Sequence, residues 1–241
     1  MRMPNGPAGR GGVGPPASRR QFVLAASTAA LSSVLSARSR VASAETGFAP
    51  GESSAANASR HYVSFQAPID DTTSARLIAI VGGLIQKGVS DIYLIVSTGG
   101  GSIAAAMLIY GFLRSLPAKI TTCNLSTIQS AGEIVFLAGE NRIASQNSIF
   151  MFHNLRQSVT GNTSLTSDEF KERETLLSMD IKRVDEIYRE RTTLTAGQME
   201  EFKQHAVYFD APAARDAGII QEIAPLSIPP HATITAVNPK D

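Results

Sequence analysis

The sequence predicts an α/β fold built on parallel strands. Between Tyr62 and His153, short β-branched runs alternate with longer stretches whose apolar residues recur at helical spacing, and strand, helix, strand repeated in this way is the pattern of parallel pairing through right-handed crossovers. No motif recurs at a fixed period, which excludes a solenoid.

Each element has its own justification. Tyr62 to Phe65 reads as the first strand, and a helix from about Thr73 to Gln86 carries Leu77, Ile80, Val81 and Leu84 on one face and stops at Gly88. Asp91 to Ser97 is the second strand. Ser102 caps a second helix that runs through Leu116 and is ended by Pro117. Ile120 to Leu125 is a strand, Ala131 to Ala138 a short apolar helix closed by Gly139, and Arg142 to Ser145 and Ser148 to His153 are two further strands. Arg156 to Ser167 is a polar loop. Asp168 to Arg191 is a helix dense in charge, with Leu176, Leu177, Met179, Ile181, Val184, Ile187 and Tyr188 along it. It is too long and too mixed to lie wholly on the core, so part of it projects, either as an oligomer contact or as a solvated face. The chain closes with a helix from Thr195 to His205, a turn Asp210-Ala211-Pro212 capping another short helix, a strand Ile219 to Ile223 and a Pro-rich tail.

The N-terminal region is read separately. Ser18-Arg19-Arg20-Gln21-Phe22-Val23-Leu24 is a twin-arginine pattern, Ala25 to Ala37 is weakly apolar, and Ala42-Ser43-Ala44 is a small-residue cleavage site. That order predicts a signal peptide over 1–44, a linker over 45–60, a folded domain over 61–228 and a flexible tail over 229–241. A disordered basic tail followed by a chance apolar helix is the plainer alternative. Localisation is expected to be periplasmic, or otherwise exported through the twin-arginine route, with no membrane span once the leader is removed. Roughly 200 residues then remain, enough for one core.

Composition mainly excludes. A formal net charge of +1, with several arginines in the leader, gives no basic field for nucleic acid. Cys123, the one cysteine, lies in the apolar run Ile120 to Leu125 and reads as a buried strand residue. Four histidines without paired ligand spacing predict no metal site, and no cofactor is implied.

Three motifs point to acyl chemistry. Ser97-Thr98-Gly99-Gly100-Gly101-Ser102-Ile103 offers backbone N–H groups, Ser126-Thr127-Ile128-Gln129-Ser130-Ala131-Gly132 places serines at a helix start, and Met151-Phe152-His153-Asn154 ends a strand on a histidine. A hydrolase attacking a carbonyl needs an oxyanion site, a nucleophile and a base. Ser130 is also open to a plainer reading, because Ser130-Ala131-Gly132-Glu133 spells a capping box, and Ser126 or Thr127 could cap as well. For His153 the plainer reading is a buried histidine bonded to backbone. His61, His205 and His231 have no comparable placement.

From about Tyr62 to Ala224 these motifs resemble the proteolytic subunit of the Clp protease, the ClpP family. Gly100-Gly101 follows Asp91-Ile92-Tyr93-Leu94 as the family's glycine turn does, and Ala105, Met107, Ile109 and Tyr110 match its next helix. Ser130-Ala131-Gly132 falls on the nucleophile motif, Met151-Phe152-His153 on the histidine motif, and Ala211-Pro212 on a segment near the C-terminus. The resemblance implies a ClpP/crotonase-like repeated β-β-α spiral with Asp168 to Arg191 as a projecting handle helix. It implies catalytic Ser130 and His153, an oxyanion hole from Gly101 and Ala131, a peptide or protein substrate and a homo-oligomeric ring. In one respect the chain departs from the family: Ala206 holds the position of the catalytic Asp, so the third triad member is unknown. Asp210, the nearest acid, sits where a helix cap before Ala-Pro is expected, and His205 is the other neighbour.

The expected function is a serine peptidase of small or unfolded peptides. Export away from ATP, and a leader where the family has its docking loop, argue against a Clp ATPase partner. A non-catalytic oligomeric scaffold is the alternative that Ala206 favours. A crotonase-type acyl-thioester enzyme is weakened by export and by the Ser130/His153 pair. A signal-peptide peptidase would need a lysine base and a membrane anchor.

Overall fold

The computed structural model describes residues 60–156 and 164–237. The leader over 1–44, nearly all of the linker over 45–60, most of the loop between Arg156 and Ser167, and the last four residues of the tail lie outside the described residues.

Alternation of β-branched and helical runs yields the expected order. Strand β1 (Arg60–Phe65) leads to α1 (Asp71–Gln86), β2 (Asp91–Thr98), α2 (Ile103–Ser115), β3 (Lys119–Gln129), α3 (Gly132–Leu137), β4 (Asn141–Ala144) and β5 (Ile149–Phe152). Then come α4 (Ser167–Arg191), α5 (Ala196–Gln204), β6 (Val207–Asp210), α6 (Ala211–Asp216), β7 (Glu222–Ile223) and β8 (Ile234–Val237). One sheet runs β6-β5-β3-β2-β1-β8, with β4 branching from β3 and β7 beside β4. All pairs are parallel except β5 with β6.

Helix ends follow local chemistry. Asp70 and Thr73 form a reciprocal capping box, so α1 begins two residues before the expected Thr73. Leu77, Val81 and Leu84 are buried, with Ile80 packed at the margin. Ser102 caps α2 by accepting from the Ala105 N–H at 3.3 Å.

Strand β3 is longer than its sequence predicts, because it serves two partners. Thr121 to Asn124 pair with β4, and Thr127 to Gln129 pair with β5. Asn124 stands at the changeover, wholly buried. Its Nδ2 donates to the Ile149 carbonyl at 3.1 Å, and its Oδ1 accepts from the Ser126 N–H at 2.9 Å, so its side chain meets backbone needs where the ladder changes partner. Ser126 and Thr127 are therefore strand residues and not helix caps.

Two further strands differ from the sequence reading. Val207 to Asp210, where the sequence reading placed no strand and only a turn at Asp210, forms β6 antiparallel to β5. Ile234 to Val237, expected in a flexible tail, pairs parallel to β1 with its Thr235 Oγ1 2.8 Å from His61 Nε2. Both are long-range pairings, which local composition does not encode. At the other end of the range, Ile219 and Ile220 are buried but precede β7, which is confined to Glu222–Ile223.

Helix α4 explains its mixed composition by its burial. Val184, Ile187 and Tyr188 near its C-terminal end are buried, while Phe170, Leu176 and Met179 in its first half are exposed. It is the projecting handle. Its buried end joins an aromatic cluster in which Phe152 lies 5.2 Å from Tyr188, 5.0 Å from Phe202 and 5.5 Å from Phe209, ring centre to ring centre. Cys123 is buried in β3, and desolvation pushes its thiol up to about 12.

Candidate active site

The carboxyl end of β3 delivers Ser130 to the surface of the sheet. Its backbone is left-handed at φ 57, a conformation that costs a non-glycine residue roughly 1–2 kcal/mol. This sharp strand-to-helix turn is locked from both sides: the Ser130 N–H donates to the Met151 carbonyl at 2.9 Å, and the Ser130 carbonyl accepts from the Glu133 N–H at 3.0 Å. The capping box read from the sequence does not form. Ala131 occupies the cap position of α3 without a side-chain bond, and the Glu133 carboxyl faces β5.

The glycine turn fits against this elbow. Gly100, at φ 93, approaches so closely that a Cβ there would lie 2.7 Å from the Ser130 Cβ. Thr98 Oγ1 donates to the Ala67 carbonyl at 2.7 Å and accepts from the Gly100 N–H at 3.1 Å, fixing the turn. Gly101, at φ 146, bridges to Ile69, whose carbonyl a Cβ would strike. Among the described residues, no backbone acceptor engages the Gly101 or Ala131 N–H.

His153 follows immediately after β5. Phe150 and Phe152 point into the core, which holds the strand end firmly. His153 Nδ1 lies 2.6 Å from the Asn154 carbonyl oxygen. A carbonyl can only accept, so Nδ1 carries a proton, and in the neutral ring Nε2 is the nitrogen with the lone pair. Asn154 is itself tied down, its Nδ2 donating to the Lys203 carbonyl at 3.4 Å.

All four residues singled out from the sequence, Gly101, Ser130, Ala131 and His153, border one cavity of about 100 Å³. Ile103, Ile134, Leu155, Arg156 and Tyr188 complete its wall. Among the described residues no hydrogen bond joins the Ser130 and His153 side chains. A larger groove of about 390 Å³ shares Gly101, Ile103, Leu155 and Arg156 and continues along Leu176, Leu177 and Asp180 of α4.

The two neighbours named for the third role, Asp210 and His205, have other partners. Asp210 Oδ1 accepts from the Ala213 N–H at 2.9 Å as the cap of α6, and Asp210 pairs with Ile149, about 13 Å along β5 from His153. His205 Nε2 lies 3.1 Å from Glu201 Oε1. Sequence reasoning missed three contributors: the Asn154 carbonyl, the intimate contact of Gly100 with Ser130, and buried Glu133. Only Glu133 left a signal, as a lone charge at the head of the apolar run Ile134-Val135-Phe136-Leu137.

A family model described as Clp protease matches residues 53–226. The chain belongs to the Clp protease family. Among curated members of the Clp protease family, it is 26% identical over 159 residues to an ATP-dependent Clp protease proteolytic subunit of Oltmannsiellopsis viridis, covering 65% of this chain and 80% of that one. It is 31% identical over 135 residues to proteolytic subunit 1 of Leifsonia xyli subsp. xyli, covering 55% and 66%. A solved structure of a ClpP1 point mutant from Listeria monocytogenes superposes with a TM-score of 0.60 at 18% identity, covering 70% of this chain and 93% of that one. The mostly parallel sheet with its handle helix is thus the ClpP/crotonase-like fold.

Proposed function

We propose that this Clp protease family member is a serine peptidase acting through Ser130 and His153, with the Asn154 carbonyl in place of the triad carboxylate. The observation that carries the reading is the 2.6 Å contact between His153 Nδ1 and the Asn154 oxygen, which leaves Nε2 of the neutral ring as the base, on a residue that lines one cavity with the strained Ser130.

The steps follow from the geometry. Ser130 Oγ adds to the carbonyl carbon of a bound peptide while its proton passes to His153 Nε2. The Gly101 and Ala131 N–H groups receive the oxyanion, aided by the positive end of α3. Collapse expels the amine, which takes the proton from His153, and leaves an ester on Ser130. A water molecule, deprotonated by the same Nε2, cleaves that ester and restores the serine. A backbone carbonyl orients the imidazole as a carboxylate does but stabilises the imidazolium less, so turnover is slow; losing the acid of a triad costs on the order of 10⁴ in rate.

The groove beside Leu176 and Leu177 suits an extended peptide passing the cavity. Homo-oligomeric ring assembly through α4, action without an ATP-driven unfoldase, and export by the twin-arginine route complete the proposal. Ala206 favours a second reading, a ring retained as a non-catalytic scaffold.

Labelling of purified protein with a fluorophosphonate probe decides between them. Labelling that disappears in Ser130→Ala and in His153→Ala is the expected result. A folded parent protein that stays unlabelled overturns the peptidase and leaves the scaffold.

A further inference from the structure

Glu133 is wholly buried in α3, yet it has no cationic partner among the described residues. Its Oε1 accepts from the Met151 N–H at 3.1 Å, and its Oε2 is buried without a hydrogen-bond partner. A buried polar group left half satisfied costs about 1–3 kcal/mol, so an acid in this position calls for a reason.

The surrounding bonds supply one. Met151 is engaged at both of its backbone groups by the segment that carries the nucleophile: its carbonyl accepts from the Ser130 N–H at 2.9 Å, and its N–H donates to Glu133. Glu133 is three residues after Ser130, and Met151 is two before His153. Three residues therefore close a loop whose two exits are the nucleophile and the base. We propose that Glu133 is a positioning residue that clamps the Ser130 elbow to the histidine-bearing strand and so sets the separation of Ser130 Oγ from His153 Nε2.

This role needs an acceptor oxygen and not a charge. Burial pushes the Glu133 carboxyl well above its ordinary range, and Tyr188 of α4, also buried, is the titratable group that faces it, its phenol driven up by desolvation and by Glu133. Glutamine keeps the acceptor, whereas leucine keeps comparable bulk and loses it.

The inference rests on the Ser130/His153 reading, so its test carries two readouts. In the full chain, Glu133→Gln should label with fluorophosphonate within about two-fold of the parent, and Glu133→Leu at least ten-fold more slowly while still melting cooperatively. Amide hydrogen exchange over residues 149–153 should be unchanged in Glu133→Gln and faster in Glu133→Leu. Equal labelling and equal exchange in parent and Glu133→Leu would overturn the clamp, as would loss of labelling in Glu133→Gln with its fold intact. If the parent itself does not label, the peptidase reading fails, and the exchange comparison alone decides the clamp. Should Glu133→Leu not fold, retention of both readouts in Glu133→Gln supports the acceptor role and their loss overturns it.

Discussion

The β5/β6 ladder ends at the pair Phe152 and Val207, so His153 and Ala206 are the next residues on its two strands. Ala206, which the sequence reading aligned with the acid position of the Clp protease family, offers only a methyl group there. Ala206→Asp would add a carboxylate next to the end of the strand that leads to the proposed base. We expect fluorophosphonate labelling and peptide hydrolysis to rise at least ten-fold, within the roughly 10⁴ that a triad acid supplies. Unchanged rates in a folded variant would show that the Asn154 carbonyl already suffices.

Ser130 is strained by its position, and removing the side chain should separate stability from chemistry. On the proposed mechanism, Ser130→Gly and Ser130→Ala should both abolish labelling. Ser130→Gly should nevertheless be the more stable of the two by about 1 kcal/mol, because glycine accepts φ 57 without a Cβ penalty. Denaturant unfolding of the pair measures the difference, and a more stable alanine variant would contradict it.

Gly100→Ala should damage both properties. Its Cβ would lie 2.7 Å from the Ser130 Cβ and 2.9 Å from the Gln129 carbonyl, on a backbone at φ 93. We expect a loss of about 1–3 kcal/mol and of nearly all labelling. Normal melting with normal labelling would mean that the turn is looser than its geometry.

The pH dependence of Glu133 has a definite sign. Its folded value is raised, so above the ordinary carboxyl range the native state retains a proton that the unfolded chain has lost. Stability then falls as pH rises, by up to about 1.4 kcal/mol per pH unit, until the folded value is reached. Glu133→Gln should remove this slope and gain on the parent as pH rises above the ordinary carboxyl range. Parallel stability profiles in urea titrations would refute it.

Phe202 fills the aromatic cluster behind His153, 5.0 Å from Phe152 and 6.2 Å from Phe209. Phe202→Ala should cost about 3–5 kcal/mol and loosen β5 against α5, lowering the melting temperature.

Local signals were legible in the sequence because their causes are local. Ser102, Thr195 and Asp210 cap helices that their own side chains start. The four residues singled out for the site share one cavity, since each is fixed by a turn or strand end that its neighbours specify. What escaped depends on distant partners. Strand β3 continues past Leu125 because Asn124 binds Ile149, and β6 and β8 exist because β5 and β1 offer edges. Glu133 matched a capping pattern, and only the neighbouring strand reveals that its side chain turns the other way.

Strand β8 has a consequence for the chain in solution. It lies along β1, with the Tyr62 N–H donating to the Thr233 carbonyl at 3.1 Å and the Tyr62 hydroxyl reaching the Ser227 carbonyl at 3.3 Å. Without it, the N–H and C=O groups of β1 would form an open border, ready to recruit a strand from another molecule. The last residues of this domain thus act as a guard against fibrillar self-association, and a chain shortened at Ser227 should be lost to aggregation before it is lost to unfolding.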